Sequence, residues 1–332
     1  MRSGILLEAT KNKSILKGAR TIFWAVGTIF VACIVAGLLA VNIAANEANK
    51  HAGLTENRLV QAELMHLSER AIREQAEISY WDDAMQNLVL GPKPSKGFAR
   101  ENFSDWLIPD MGFSEFVLIG EDDQVKMVAK LEEVITSSPT SELAIFSDDL
   151  VQLARQRFKD RRYKIGSKYL VEPEDGNVVP DITAFAFRKW QGVPSILVAQ
   201  VIIAENRPYA AGEGEETVLL SVKPLALTLL SKSVSKLGIE GVFIEQTRND
   251  HGLSGSVQMP DMASPPSLTF RWTPSEPRGA IPSAALPIGT AITLVLTLSL
   301  AVILRHNAGV LNDLSRSKKQ IDFWQPMTNS LV

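Results

Sequence analysis

The chain has 332 residues, 34 Lys and Arg against 37 Asp and Glu, and one cysteine. That single thiol, Cys33, excludes a disulfide framework and a thiolate-based structural zinc site, so any folded part must be held by its own core. The charges are unevenly placed: none falls from Thr21 to Asn46 or from Gly279 to Leu304.

Each of these stretches exceeds the roughly 20 apolar residues that a membrane-spanning helix needs. Two transmembrane helices are therefore expected, over 21-46 and 280-304. Arg2, Lys11, Lys13, Lys17 and Arg20 precede the first against Glu8 alone. Arg305, Arg316, Lys318 and Lys319 follow the second, with Asp313 and Asp322. Basic flanks stay in the cytoplasm, which places the tails 1-20 and 305-332 there and the intervening 47-279 outside. Setting aside the five bases and one acid of the first tail, and the four bases and two acids of the second, leaves that domain 25 bases and 34 acids. A signal peptide has an apolar region of about 7 to 15 residues. Ile22 to Ala45 is longer, which favours an uncleaved anchor, although Val41 to Ala45 offers small residues for cleavage.

The outer domain opens on a helix in which Val60, Leu64, Leu67, Ala71 and Ile78 recur at helical spacing. Such a stripe either packs on its own domain or forms a dimer seam, and the pattern alone leaves both open. Gly91-Pro92-Lys93-Pro94 breaks the helix. A hairpin follows, Glu115 to Ile119 and Val125 to Ala129 around the acidic turn Gly120 to Gln124. Ser147 reads as an N-cap, Asp148 and Asp149 as a first turn, and Leu150, Ala154 and Phe158 as one face of a helix. Arg161, Arg162 and Lys164 suit its C-terminal dipole, and Gly166 its end.

Ile182 to Lys189 and Ser195 to Ile203 read as an antiparallel pair about Gln191-Gly192, the second strand apolar enough for a sheet interior. Thr217 to Val222, Ile239 to Glu245 and Ser267 to Trp272 are further strands, and Leu225 to Leu237 a helix after Pro224. The fold class is α+β: an antiparallel sheet with flanking helices.

Four segments resemble the fourth class of CHASE domain, an extracytoplasmic sensor of bacterial signalling proteins. They are Tyr80-Trp81-Asp82-Asp83, Phe116-Val117-Leu118-Ile119 with its acidic turn, Leu220 to Leu225, and Phe270-Arg271-Trp272-Thr273-Pro274. The resemblance covers about Ala48 to Ile288. It implies a PAS/Cache-like sensor in the bacterial inner membrane that detects a small molecule. In that family the second span leads to a diguanylate cyclase domain. Phe323-Trp324-Gln325-Pro326-Met327-Thr328-Asn329 is similar to the opening of such a domain, with Gln325 where the family carries Asp. The cyclase motifs are absent before Val332, so the expectation is a protein of cyclic-di-GMP signalling that is not itself an enzyme. The alternative is a non-catalytic interaction protein that pairs with a full-length cyclase or phosphodiesterase relative, as a heterodimer where a sensor would form a homodimer.

No catalytic, metal or cofactor site is expected. His51, His66, His251 and His306 lack the i, i+4 spacing of two helical metal ligands. Ser233-Val234-Ser235-Lys236 matches a serine-x-x-lysine pattern without its companion motifs. Gly212-Glu213-Gly214 runs into Glu215 and Glu216 where a phosphate would want cations, and reads as a solvated acidic loop. The basic run Arg155 to Lys164 sits at a helix end and implies no nucleic acid. Ligand candidates are Tyr80, Trp81, Asp82, Asp83 and Asn87, because an indole beside two carboxylates can hold a cationic or amine-bearing molecule. Asn102, Arg188 and Arg271, on neighbouring segments, complete the set.

Overall fold

The computed structural model describes residues 2–137, 139–171, 182–206, 210, 212, 216–226, 230, 234–236, 239–245, 255–264, 268–273, 289–290, 293–298, 301 and 305. The chain divides into two units, Met1–Ala52 with Glu276–Val332, and Gly53–Ser275.

In the first unit, the described apolar side chains of the helix Arg2–Ser79 are largely exposed from Trp24 to Ile43, and Ala45 is buried. Trp24 is 64% exposed, Ile29 64% and Ile43 66%. Apolar side chains exposed along a helix are the opposite of a core pattern and suit a lipid medium. Among the described residues it is the one helix, over Gly27–Ser79, long and apolar enough to cross a membrane. Of the second expected span, residues 289–290, 293–298 and 301 are helical, with Thr293 and Thr297 hydroxyls donating to the carbonyls of Gly289 and Thr293 at 2.8 and 2.7 Å. The rest of that span, and the segment from Phe323 to Asn329, lie outside the described residues.

The second unit is built on a six-stranded antiparallel sheet in the order β3-β2-β1-β8-β7-β6. Its strands are β1 (Glu115–Ile119), β2 (Val125–Lys130), β3 (Glu133–Ile135), β6 (Ala184–Trp190), β7 (Val193–Val201) and β8 (Val218–Pro224). The ribbon β4 (Arg162–Ile165) and β5 (Lys168–Val171) stands apart. Strands β9 (Glu240–Glu245), β10 (Gly255–Gln258) and β11 (Thr269–Thr273) form a three-stranded sheet ordered β10-β11-β9.

Both faces of the large sheet are buried, which explains its continuous apolar strands. Val117, Ala184, Leu197 and Leu220 point to one face, where Leu150, Val151, Ala154 and Phe158 of the helix Asp148–Arg161 cover them. On the other face Phe116, Leu118 and Leu219 meet Met85, Leu88, Phe103 and Leu107 from the helical turns after the long helix. Further along that face Phe187, Ile196 and Val198 meet the long helix and the small sheet.

The expected stripe lies in this core. Val60, Leu64 and Ala71 are fully buried with Phe187, Phe270 and Trp272, Leu67 packs at the margin, and Ile78 joins the neighbouring cluster. The sheet of the same domain covers the stripe at Val60, Leu64 and Ala71, so these three pack within their own domain. Polar groups anchor the helix as well: buried Gln75 donates to Leu219 O at 2.8 Å and accepts from the Ser221 hydroxyl, while Trp272 Nε1 donates to Glu56 at 3.0 Å.

The β1–β2 hairpin forms where expected, and Arg155 of the helix grips its acidic turn through Asp123 and the Gly120 carbonyl. Gln191 and Gly192, at φ of 48° and 83°, make the two-residue turn between β6 and β7. Positive φ at both central positions matches the twist of the flanking strands. Three expectations are corrected, the first in part. Ser147 holds the N-cap position as expected, its carbonyl accepting from Leu150 N and Val151 N, but its hydroxyl makes no cap bond and is buried without a partner among the described residues. The helix stops at Arg161, and Arg162 and Lys164 belong to β4, where Arg162 stacks 3.9 Å over the Tyr169 ring. Gly166 is therefore in the β4–β5 turn, at φ +64°, rather than at a helix end. Leu230, Val234 and Ser235 of the expected Leu225 to Leu237 helix are helical, and much of the remainder lies outside the described residues.

Candidate functional site

The residues nominated at the end of the long helix are close together but largely committed to the protein. The Tyr80 strand bridge to Ile203 is closed by Ile203 N donating to Ser79 O at 2.8 Å. Burial, then the charges of Glu205 and Asp82, push the Tyr80 phenol above its ordinary pKa. The Trp81 ring lies 5.4 Å from Phe98 at the edge of the core. Asp82 accepts from the Asn206 backbone N–H at 2.9 Å and from its side-chain amide. Asn87 donates to the Asp83 carbonyl at 2.8 Å, leaving the exposed Asp83 carboxylate as the group turned to solvent. The indole stacks on a neighbour and one of the two carboxylates fixes a loop, so this cluster is a joint between helix and sheet.

The other three candidates are separate from it and from one another. Asn102 donates to Phe98 O at 2.9 Å within its own helical segment. Arg271 is on β11 in the small sheet, opposite Phe243 and Ser256. Arg188 on β6 is a structural clamp. Its Nε and one terminal nitrogen donate to Asp261 at 2.6 and 2.9 Å, both terminal nitrogens donate to Asp149 at 2.8 and 2.6 Å, and Phe146 O takes the fifth donor at 3.3 Å. All five N–H groups of the guanidinium are used, and none is left for a ligand.

The basic run is consumed in the same way. Arg157 donates to Thr183 O at 2.7 Å, and Arg162 and Lys159 converge on Glu216. Glu216 is buried, not part of a solvated loop; residues 213–215 lie outside the described residues.

A cavity of about 600 Å³ occurs elsewhere, on the long-helix face of the large sheet. Glu63, His66, Leu67 and Arg70 form its helical wall, and Ile196 of β7 with Lys223 and Pro224 of β8 its floor. Met111, Gly112, Leu225, Ala226, Leu230 and Lys236 close the rest. At one end Glu74 takes Arg70 Nε at 2.7 Å and also the Lys223 ammonium, which lies 4.8 Å over the Phe113 ring. Burial, opposed by Glu74 and assisted by the Arg70 charge, pushes the Lys223 ammonium below its usual pKa.

None of these residues was nominated from sequence for a ligand, and Leu67 was read only as part of the apolar stripe. One signal was available: Lys223 is the lone charge in the Val218–Pro224 strand, whose other residues except Ser221 are apolar, and a charge inside a sheet needs a reason. The helical wall offered no such sign, because Glu63, His66 and Arg70 look like ordinary solvated positions beside the apolar stripe. Lys236 belongs to the serine-x-x-lysine pattern, whose Ser233 lies outside the described residues.

Fold and site together define an α+β domain with a cationic, apolar-walled cavity, in a chain whose long helix can cross a membrane. No protein-family model matches the chain, and no curated protein does. Among solved structures, it is similar to the ligand-binding domain of the Campylobacter jejuni chemoreceptor Tlp3 in complex with L-valine, at 10% identity and a TM-score of 0.37, over 70% of this chain and 94% of that one. The Tlp3 sensory domain with isoleucine bound matches at 12% identity and a TM-score of 0.33, over 60% and 67%. The periplasmic sensory domain of Tlp1 from the same organism matches at 10% and 0.28, over 70% and 94%. Similarity this distant assigns the chain neither a ligand nor an output.

Proposed function

We propose that the chain is a membrane-anchored sensor whose 47-279 domain lies outside the cytoplasm, binds a small molecule in the cavity, and performs no catalysis of its own. The observation that carries this reading is that the cavity wall from Glu63 to Arg70 belongs to the helix Arg2–Ser79 that also contains the candidate span. A ligand there touches the element that leads to the membrane. It shifts that element only by as much as it binds one arrangement better than another. The basic flank before Thr21, the second apolar stretch and the CHASE resemblance support an inner-membrane protein with both termini in the cytoplasm and a cyclic-di-GMP output. Pairing between copies, or with a relative, would have to use a surface other than Val60, Leu64 and Ala71.

The test is thermal unfolding of the full chain in lipid nanodiscs across a panel of carboxylates, amines, amino acids, neutral amides and metal ions. A ligand at about 100 times its dissociation constant adds roughly 2.7 kcal/mol, several degrees in Tm for a domain of this size. At least one compound is expected to give a saturable shift. Cooperative unfolding that no compound shifts overturns the sensor reading.

A further inference from the structure

We propose that the cavity is a site for a small organic monoanion, a carboxylate on an apolar body, whose charged end is held by Lys223 and Arg70. This rests on the reading of the cavity as the sensor's ligand site and adds the class of ligand.

Charge is the first ground. Two cations, Arg70 and Lys223, share the single carboxylate of Glu74. Around the rest of the wall, among the described residues, Lys236 faces the cavity and Glu63 is the one acid. Among the described residues, Arg70, Lys223 and Lys236 against Glu63 and Glu74 leave a surplus of one positive charge, which a single carboxylate would neutralise.

Desolvation is the second. The Lys223 side chain is 17% exposed, pinned over Phe113 and short of water. A charge taken from water is stabilised by a further partner of opposite sign, and an ammonium already disfavoured by burial gains more from one than a solvated ammonium does. Arg70 presents a fork that can take a carboxylate oxygen while keeping its bond to Glu74.

The apolar remainder of the wall selects the body. Leu67, Ile196, Pro224, Leu225 and Leu230 line it, and Met111 adds an adaptable surface. A compact inorganic anion would leave this surface bare and its own oxygens under-solvated. Ligand pockets of about 300 to 1,000 Å³ accommodate molecules with both a polar anchor and an apolar portion.

Titration calorimetry on the full chain in nanodiscs tests the proposal, with 4-methylpentanoate and phenylacetate as probes beside their amides, the corresponding amines, leucine and inorganic phosphate. The carboxylates are expected to bind saturably, at least tenfold tighter than their amides. Lys223→Met is expected to abolish that preference, and Ala226→Trp, which fills the cavity from its exposed rim, to weaken carboxylate and amide alike. Where Lys223→Met does not fold, Lys236→Gln on the exposed wall is expected to weaken the carboxylates about two- to fivefold and leave the amides unchanged. Amides or amines binding as tightly as the carboxylates, yet blocked by Ala226→Trp, would overturn the anion class while leaving the sensor reading intact. Carboxylate binding insensitive to Ala226→Trp overturns the location. Phosphate binding as tightly as the organic acids overturns the apolar body. No binding by any carboxylate overturns the proposal, and the wider thermal panel then decides the sensor reading separately.

Discussion

Replacing Arg188 by Met removes the clamp that joins β6, the helix Asp148–Arg161 and the segment around Asp261. The Asp261 side chain is 1% exposed, and without Arg188 it keeps, among the described residues, the backbone N–H groups of Ala263 and Ser264, at 3.1 and 3.0 Å on one oxygen. Leaving a buried carboxylate without its cation costs about 3–5 kcal/mol. Asp149 is 36% exposed and retains Leu150 N at 2.9 Å and the Ser264 hydroxyl at 2.5 Å, so its loss is below about 1 kcal/mol. A total near 4 kcal/mol, at about 2–4 °C per kcal/mol for a domain of this size, lowers Tm by roughly 8–16 °C.

The hydrogen bonds from Arg188 hold the Asp149 carboxyl below the usual carboxylate range, against the opposing effect of burial. A depressed folded pKa gives stability that is present above the unfolded value of about 3.9 and is lost as pH falls through the folded value. The part of the wild-type advantage that comes from Asp149 is therefore complete at pH 7 and shrinks below about pH 4. Arg188→Lys keeps the charge but not the fork, and should fall between the two. Urea and thermal unfolding followed by circular dichroism measure all three chains. A loss below about 1 kcal/mol at pH 7, or a gap that widens on acidification, would refute the reasoning.

Three further outcomes follow from the packing. Leu64→Ala, in the centre of the buried stripe, should cost about 2–5 kcal/mol by chemical denaturation, whereas a residue in an intermolecular seam would instead change the mass measured by light scattering. Ser147→Ala should be within about 0.5 kcal/mol of wild type because the hydroxyl caps nothing, while Ser141→Ala, which removes an acceptor 3.3 Å from Ala144 N, should lose about 1 kcal/mol. Gly166→Ala, at φ +64°, should cost about 1 kcal/mol or more, measured by the same unfolding curves.

The parts of this fold that were legible in the sequence are those where one short segment carries both the strand pattern and its turn. Glu115 to Ile119 and Val125 to Lys130 pair with the acidic turn between them, and Gln191-Gly192 folds β6 onto β7 as its residue types suggest. The β4–β5 ribbon was illegible because Arg162, Lys164 and Lys168 resemble a solvated charge run. Their strand state depends on Tyr169 beneath Arg162 and on Glu216, 54 positions away. β10, the Gly255–Gln258 strand, has too few apolar residues to announce itself, yet it pairs with β11 through Phe270 and Trp272.

The stripe from Val60 to Ile78 was visible, but periodicity says only that a face is covered. Phe187, Trp272 and the rest of the sheet supply the cover here. The same limit hid the cavity, whose cations come from residues 70, 223 and 236 and meet only through tertiary structure. The Trp81–Asp83 group was prominent for the opposite reason. Its residue types suggest chemistry, while Phe98 and Asn206, which engage Trp81 and Asp82, are far from obvious in the linear order.

A sensor of external molecules requires the Gly53–Ser275 unit to face away from the cytoplasm. The most direct measurement is cysteine labelling in intact bacterial cells whose outer membrane has been made permeable. Cys33→Ser removes the native thiol, and Ile145→Cys introduces one at a side chain that is 82% exposed. A membrane-impermeant maleimide is expected to label residue 145 fully without lysis, while a cysteine placed at Ser3 is labelled only after the inner membrane is opened. Labelling of Ser3→Cys in intact cells together with protection of Ile145→Cys would contradict that orientation.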